Sequence, residues 1–227
     1  MSDLLTKIRL HLYTAVVCDA LDQIGRTGQS PRVPLPRLAG SPKGALPSDG
    51  SNPMLAGRCK TTLWADMYHR DPSPYALELQ AVDACQKDDV LIAAAGGSMR
   101  SGIWGELLTT AAIQRGCVGV LVDGAIRDVD KIASMPFSVH AKGTCIYDSL
   151  NRQRVIDVDV RVEIDGVPFE PGDLVLADSD GVVVVPRQVE DQVLELAFAK
   201  VLGENRVRDA IRAGMSATQA FATFGIL

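Results

Sequence analysis

The sequence predicts an α/β fold: a mixed sheet with flanking helices, in a single domain spanning residues 1–227. Three observations predict it. Two short apolar runs, Asp89–Ala95 and Val118–Val122, lie between helical patterns, the rhythm of parallel strands joined by right-handed crossovers. From Val155 onward Val and Ile alternate with charged residues, the period-2 mark of half-exposed strands, so the second half is β-rich. Composition is that of an ordinary globular chain, 47% hydrophobic and 22% charged over 227 residues, which is long enough to bury one sizeable core.

The elements follow in order. Leu4, Leu5, Ile8, Leu12, Val16, Leu21 and Ile24 recur near helical spacing, predicting one N-terminal helix within residues 1–26, stopped by Gly25. Residues 27–53 carry Pro31, Pro34, Pro36, Pro47 and Pro53 among Gly and Ser, and read as a long loop. Arg58–Trp64 reads as a strand, then Tyr75–Cys85 as a helix with Leu77, Leu79, Val82 and Cys85 inward. The apolar run from Asp89 stops at Gly96-Gly97. A helix over Trp104–Arg115 is closed by Gly116. The run from Val118 ends at Asp123-Gly124. A short helix over Asp128–Ser134 is broken by Pro136, and Phe137–Lys142 is a third strand. Val155–Ile164 reads as one alternating strand, with a hairpin turn at Asp165-Gly166. Leu174–Ala177 and Val182–Val185 are strands, separated by a turn at Asp180-Gly181. Residues 187–227 hold a long helix over 187–212 and a short one over 216–223.

Charge and cysteine usage exclude several function classes. The net charge is 23 − 28 = −5, the wrong sign for a protein whose main work is gripping a phosphate backbone, so no nucleic-acid partner is expected. No apolar run approaches the ~20 residues of a membrane span, and the first ten residues lack a signal-peptide core. Five scattered cysteines, none in a C-x-x-C pair, read as reduced thiols of a cytoplasmic protein. His11, His69 and His140 are too far apart in sequence to suggest a His-based metal site, and no Cys/His cluster has zinc spacing.

The segment from Gly96 to Asp130 is where chemistry concentrates. It joins two buried strands, and open α/β sheets bind ligands at the carboxyl ends of such strands. A helix starting near Trp104 offers the N–H groups of Gly105, Glu106, Leu107 and Leu108 to a carboxylate or phosphate; a plain glycine-rich turn is the alternative. At the next strand end stand Arg127, suited to forked bonding with a carboxylate, and Asp128, a hard single ligand of the kind Mg²⁺ accepts. A surface ion pair, with Asp128 capping the following helix, would explain the same two residues.

Taken together, the W-G-E loop, the A-x-x-x-G-x-x-G-V-L-V-D-G strand and the I-R-D-V-D turn resemble the family of class II 4-hydroxy-4-methyl-2-oxoglutarate aldolases and regulators of ribonuclease activity A (RraA-like). Pro171-Gly172-Asp173, the run Asp180 to Pro186, Glu204 with Arg208, and Gly214-x-Ser216 extend the resemblance over roughly Thr14 to Ile226. The resemblance implies a swivelling β/β/α fold, homotrimers or hexamers, and an active site near subunit contacts. It implies a metal-dependent lyase that cleaves a C–C bond of a 2-oxo acid through a pyruvate enolate, with oxaloacetate decarboxylation as a side activity. In that reading Mg²⁺ (or Mn²⁺ or Co²⁺) is held by Asp128. Arg127, Glu106 and Asp128 are catalytic, and Gly105, Glu106, Leu107, Leu108 and Arg127 bind substrate.

Two positions depart from the family pattern. Glu106 stands where the aldolases usually have Asp, and Lys131 stands where they have an acid, with Asp130 one residue early. Regulator-type members also depart from the pattern, so a non-catalytic role binding a ribonuclease, or a sugar-acid-derived substrate, are the competing readings. Glu204 either reaches a neighbouring subunit's site or pairs with Arg208 on its own helix, and the second is favoured. His69 reads as a surface-loop residue, and Trp64 and Trp104 as packing residues.

Overall fold

The computed structural model describes residues 2–41 and 54–226. Its N-terminal region is two helices, α1 (Ser2–His11) and α2 (Thr14–Gln23), not the single helix expected. Tyr13 between them takes an extended backbone, φ −148° and ψ 160°, while Leu12 stays buried, so the apolar periodicity survives a break in the backbone. The 27–53 segment is also not wholly irregular. Strand β1 (Arg37–Ala39) lies inside it, and its residues 42–53 fall outside the described ones.

The central region follows as β2 (Leu55–Asp66), α3 (Ala76–Asp83), β3 (Asp89–Ala94), β4 (Gly102–Trp104), α4 (Glu106–Arg115), β5 (Gly119–Ile126), α5 (Val129–Ile132) and β6 (Ser138–Thr144). Two expectations change here. Trp104 belongs to β4, because Gly105, the N-cap of α4, is extended. Asp123-Gly124 is no turn: β5 runs through both to Ile126, and all eight of its residues are buried. The second half comprises β7 (Gln153–Val158), β8 (Val162–Ile164), β9 (Val167–Phe169), β10 (Leu174–Ala177), β11 (Val182–Val185), α6 (Glu190–Arg212) and α7 (Ala217–Phe224). The expected Val155–Ile164 strand is cut at Asp159, whose φ of 55° is incompatible with a strand. The hairpin at Asp165-Gly166 forms as expected, with φ of 51° and 77°, the pair of positive values a type I′ turn needs.

The main sheet has the order β1-β6-β5-β3-β2-β10-β11, with β4 beside β5 and β7 beside β2. Strands β2, β3, β5 and β6 are parallel; β1, β7, β10 and β11 join antiparallel, so the sheet is mixed. Twelve residues long, β2 takes two neighbours on one edge, β10 at Leu55–Arg58 and β7 at Thr62–Asp66. Helices α3, α4 and α5 cover one face, where Trp104 stacks on Phe137 with ring centroids 6.0 Å apart. Helices α1, α2 and α6 pack on β10 and β11 through Ile8, Leu21, Val185 and Val193. The β8–β9 hairpin brings Ile164 and Phe169 onto Ile92 and Leu121. Ile92, Leu121 and Phe169 are fully buried, each worth about 1.5–3 kcal/mol relative to exposure. Glu190, at the start of α6, is tied to β2 by a forked pair with Arg58, Nη2 to Oε1 at 2.7 Å.

Candidate functional site

The site is built where β4, β5 and β6 end together. Arg127 N–H donates to the Trp104 carbonyl at 2.8 Å, Cys145 N–H to Ile126 at 2.9 Å, and Gly102 N–H to Tyr147 at 2.9 Å. Side chains on a strand alternate faces, so Arg127 and Asp128 would part company if β5 continued. Asp128 instead adopts φ 60° and ψ 30°, a left-handed turn that brings both side chains to one cavity. Gly105 permits the close approach. A Cβ there would lie 2.7 Å from Asp128 Oδ2 and 3.3 Å from Arg127 Cγ.

The cavity has a volume of about 320 Å³, a size suited to a small molecule. Arg127, Asp128, Gly105, Leu107 and Leu108 line it together with Tyr75, Glu78 and Asp148. The first three N–H groups of α4 have no partner within the helix. Glu106 N–H donates to Asp128 Oδ2 at 3.2 Å. No hydrogen bond among the described residues uses the N–H of Leu107 or Leu108. A wider cleft of about 540 Å³ lies beside Arg58 and Lys60, but those two cations are already paired with Glu190 and Asp159.

Arg127 is aimed by a residue that the sequence reading missed. Its Nη2 meets Asp148 Oδ2 at 2.7 Å, much closer than its own neighbour Asp128, whose Oδ2 lies 4.0 Å from Nε. The other Asp148 oxygen accepts from Tyr75 O–H at 2.6 Å and from Leu150 N–H at 2.7 Å. Burial pushes the Asp148 pKa up, but the Tyr75 and Leu150 hydrogen bonds and the Arg127 charge outweigh it and hold it below the usual carboxylate value. Burial and the bond to Asp148 push the Tyr75 hydroxyl up to about 12, so it stays a donor.

Glu78 is the second residue missed. The helical pattern predicts Leu79 inward, but Leu79 is 50% exposed and Glu78 is 8% exposed, a correction by one residue in the facing of α3. Burial first, and then the nearby Asp148 charge, raise the Glu78 carboxyl to about 8, against a partial offset from Arg127. The available signal was the left-handed Tyr75, φ 61°, which rotates the helix start, and this is invisible in a sequence pattern.

The remaining expected residues are placed as follows. Glu106, expected as a catalytic and substrate-binding residue, is not among the residues that line the cavity: its N–H is turned to Asp128 and its carboxylate accepts from Thr110 O–H at 3.0 Å. Glu204 accepts a hydrogen bond from Tyr13 and sits 4.0 Å from Arg208 Nη2 on its own helix, the favoured pairing. Lys131 and His69 are exposed, and Trp64 and Trp104 are buried packing residues, as expected. Trp104 Nε1 donates to Thr109 Oγ1 at 2.8 Å and thereby ties β4 to the first turn of α4. Cys59, Cys85 and Cys117 are buried and all five cysteines are free. His140 is buried with Nδ1 3.0 Å from the Leu35 carbonyl, and burial lowers it to about 4. No helix among the described residues is long and apolar enough to cross a membrane.

Among the described residues, no group of three or more His, Cys, Asp or Glu is arranged to hold a metal ion. A tight structural zinc-type centre therefore does not fit these residues. What fits is a hard cation that keeps most of its waters and takes one or two carboxylates. Asp128, 35% exposed at its side chain on the cavity rim, offers that donor.

Comparisons with known proteins give the family and the fold. The family model described as Aldolase/RraA matches residues 14–184. A protein of Acinetobacter baylyi named "Putative 4-hydroxy-4-methyl-2-oxoglutarate aldolase" is 31% identical over 176 residues, 78% of this chain and 96% of that one. Protein DlpA of Legionella pneumophila is 32% identical over 139 residues, 61% of this chain; the match spans only 23% of DlpA. Among solved structures, an uncharacterized protein from Pseudomonas syringae superposes with a TM-score of 0.81 at 27% identity, covering 99% of this chain and 95% of that one. Streptomyces coelicolor RraAS2, described as an unusual member of the RNase ES inhibitor RraA protein family, superposes with a TM-score of 0.76 at 25% identity, covering 92% and 96%. With its mixed sheet, its flanking helices and these matches, the chain belongs to the RraA-like family.

Proposed function

We propose that this protein is a divalent-metal-dependent lyase that cleaves a C–C bond of a small 2-oxo acid and releases pyruvate. One observation carries the reading: Arg127, Asp128 and the first turn of α4, at Leu107 and Leu108, line one cavity of small-molecule size. Relatives named for aldolase activity on a 2-oxo acid support it.

The roles follow from the chemistry of cleavage next to a 2-oxo group. Breaking the bond leaves an electron pair on the fragment that becomes pyruvate, and negative charge develops on its C2 oxygen. Asp128 would hold Mg²⁺, Mn²⁺ or Co²⁺, which when bound would supply Lewis-acid stabilisation of that charge. Arg127, fixed by Asp148, donates to the same oxygen or to the adjacent carboxylate, with its charge already oriented before the charge develops. The N–H groups of Leu107 and Leu108, at the positive end of α4, hold the substrate carboxylate. Glu106 acts through its backbone N–H, which fixes Asp128.

The test is pyruvate release from oxaloacetate, measured with Mg²⁺ and with chelator. Turnover that needs the cation and falls at least about 100-fold in Arg127→Ala is expected. Full cation-dependent turnover by Arg127→Ala or Asp128→Ala would refute the assigned roles. A second reading, a regulator that binds a ribonuclease, rests on the likeness to RraAS2. It predicts ribonuclease capture that Arg127→Ala leaves intact.

A further inference from the structure

The residues that line the cavity besides Arg127, Asp128 and the start of α4 decide what the far end of a substrate meets. Glu78 is 92% buried by residue area, taking 100% less its 8% exposure, and it lines this cavity. Among the described residues, no hydrogen bond or ion pair engages its carboxyl. The neighbouring Asp148 is different: Arg127, Tyr75 and Leu150 occupy both of its oxygens. Leu79, Leu107 and Leu108 add hydrocarbon to the lining.

Arg127 is the one cation among the described residues that line the cavity, and it is already paired with Asp148. A second carboxylate on the far arm of a substrate would therefore face Glu78 and leucines with no counter-charge from the described lining. An unpaired, mostly buried carboxyl that lines the cavity instead rewards a ligand that brings a hydrogen-bond donor, because leaving such a group unmatched is costly.

We infer that the preferred substrate is a 2-oxo acid whose far arm is uncharged and carries a terminal hydroxyl placed against Glu78, in preference to a dicarboxylate of the same length. The inference rests on the lyase reading for the reaction, and on the cavity wall for the choice of arm. A carboxyl kept mostly protonated by burial strengthens the discrimination, since it can both accept from and donate to a hydroxyl.

A matched pair isolates the feature. In 4,5-dihydroxy-2-oxopentanoate and 4-hydroxy-2-oxoglutarate the reacting carbons are identical, and only C5 differs, hydroxymethyl against carboxylate. Cleavage of either breaks C3–C4. The C4 hydroxyl loses its proton and C4 becomes the aldehyde carbon of glycolaldehyde or glyoxylate. The electron pair passes to the enolate of pyruvate, which takes one proton at C3. Atoms and electrons balance without a further reactant.

The full-length protein with Mg²⁺ is assayed for pyruvate from both compounds and from oxaloacetate, and calorimetry gives the affinity for each member of the pair. The expected result is a kcat/KM at least about tenfold higher for the dihydroxy acid. Glu78→Leu is expected to lose that preference through a raised KM for the dihydroxy acid, with kcat less affected. Glu78→Gln, which keeps a hydrogen-bonding group, is expected to retain it, and thermal melts of both variants monitor folding. Equal or better use of the dicarboxylate, or an unchanged ratio in Glu78→Leu, overturns the inference while the lyase reading stands. If none of the three compounds yields pyruvate, the lyase reading fails; equal affinities for the pair would then overturn the inference as well.

Discussion

Replacing Asp148 by asparagine tests how much the site depends on an oriented guanidinium. The Asp148 carboxylate receives Arg127 Nη2 at 2.7 Å, Tyr75 O–H at 2.6 Å and Leu150 N–H at 2.7 Å. An amide has one accepting oxygen. If that oxygen keeps the Tyr75 and Leu150 bonds, its NH₂ faces Arg127, donor against donor. A buried charge-assisted bond is worth about 1.5–3 kcal/mol, but a third of each side chain is exposed here, 36% and 33%, and water screens the pair. A stability loss of only about 1 kcal/mol is therefore expected in Asp148→Asn. The effect on turnover should be larger. A guanidinium free to drift by ~1 Å costs up to ~10²-fold, so kcat/KM for pyruvate release should fall about 10- to 100-fold, or about 1.4–2.7 kcal/mol of transition-state stabilisation. Tyr75→Phe, which removes one bond to Asp148 but leaves its charge, should lie between that variant and the wild type. Wild-type kcat/KM in a folded Asp148→Asn variant would refute the argument that this clamp aims Arg127.

Further predictions use the same coordinates. Gly105→Ala places a methyl 2.7 Å from Asp128 Oδ2, so the carboxylate must move; Mg²⁺ affinity measured by calorimetry should drop at least about tenfold with little change in Tm. Glu78 has its folded pKa raised to about 8, so the folded chain holds a proton that the unfolded chain loses. Its contribution to stability is therefore fully present below the unfolded carboxyl value and is lost as pH rises toward 8, by up to about 1.4 kcal/mol per pH unit. Denaturant midpoints of Glu78→Gln against pH should be flatter over that window, and parallel curves would contradict the burial argument. His140, lowered to about 4 by burial, stabilises the fold above the unfolded histidine value and loses that contribution as pH falls toward 4. Its imidazole NMR shifts should stay constant from pH 8 to pH 5.

Much of the fold is written locally, and the misses have specific causes. The runs at Val90 and Val120 are buried on both faces of the sheet, so their uninterrupted apolar character was sufficient evidence. β5 was read as ending at Asp123-Gly124 because those residues usually signal a turn. Here Asp123 keeps its carboxylate inside the sheet by pairing with Lys142 at 2.5 Å, a contact between strands that no local pattern contains. The break at Tyr13 escaped notice for the opposite reason, since both helices present their leucines and valines to the same layer. In the site, Arg127 and Asp128 were legible as adjacent functional groups with a glycine partner upstream. Asp148 was not, because it lies 21 residues further on in a loop and meets Arg127 only after β5 and β6 are paired. The Leu150 N–H bond to Asp148 is a local turn contact, but such a turn does not say what the second oxygen binds.

The left-handed backbone at Asp128 has a consequence for how this site could change over generations. Aspartate, asparagine and glycine occupy that region at little cost, whereas branched and bulky residues strain it. Exchanging charge for amide at this position alters the chemistry and leaves the chain path intact. Most other replacements disturb both at once, so a lineage that changes the chemistry at this position has few single steps available that keep the loop in place.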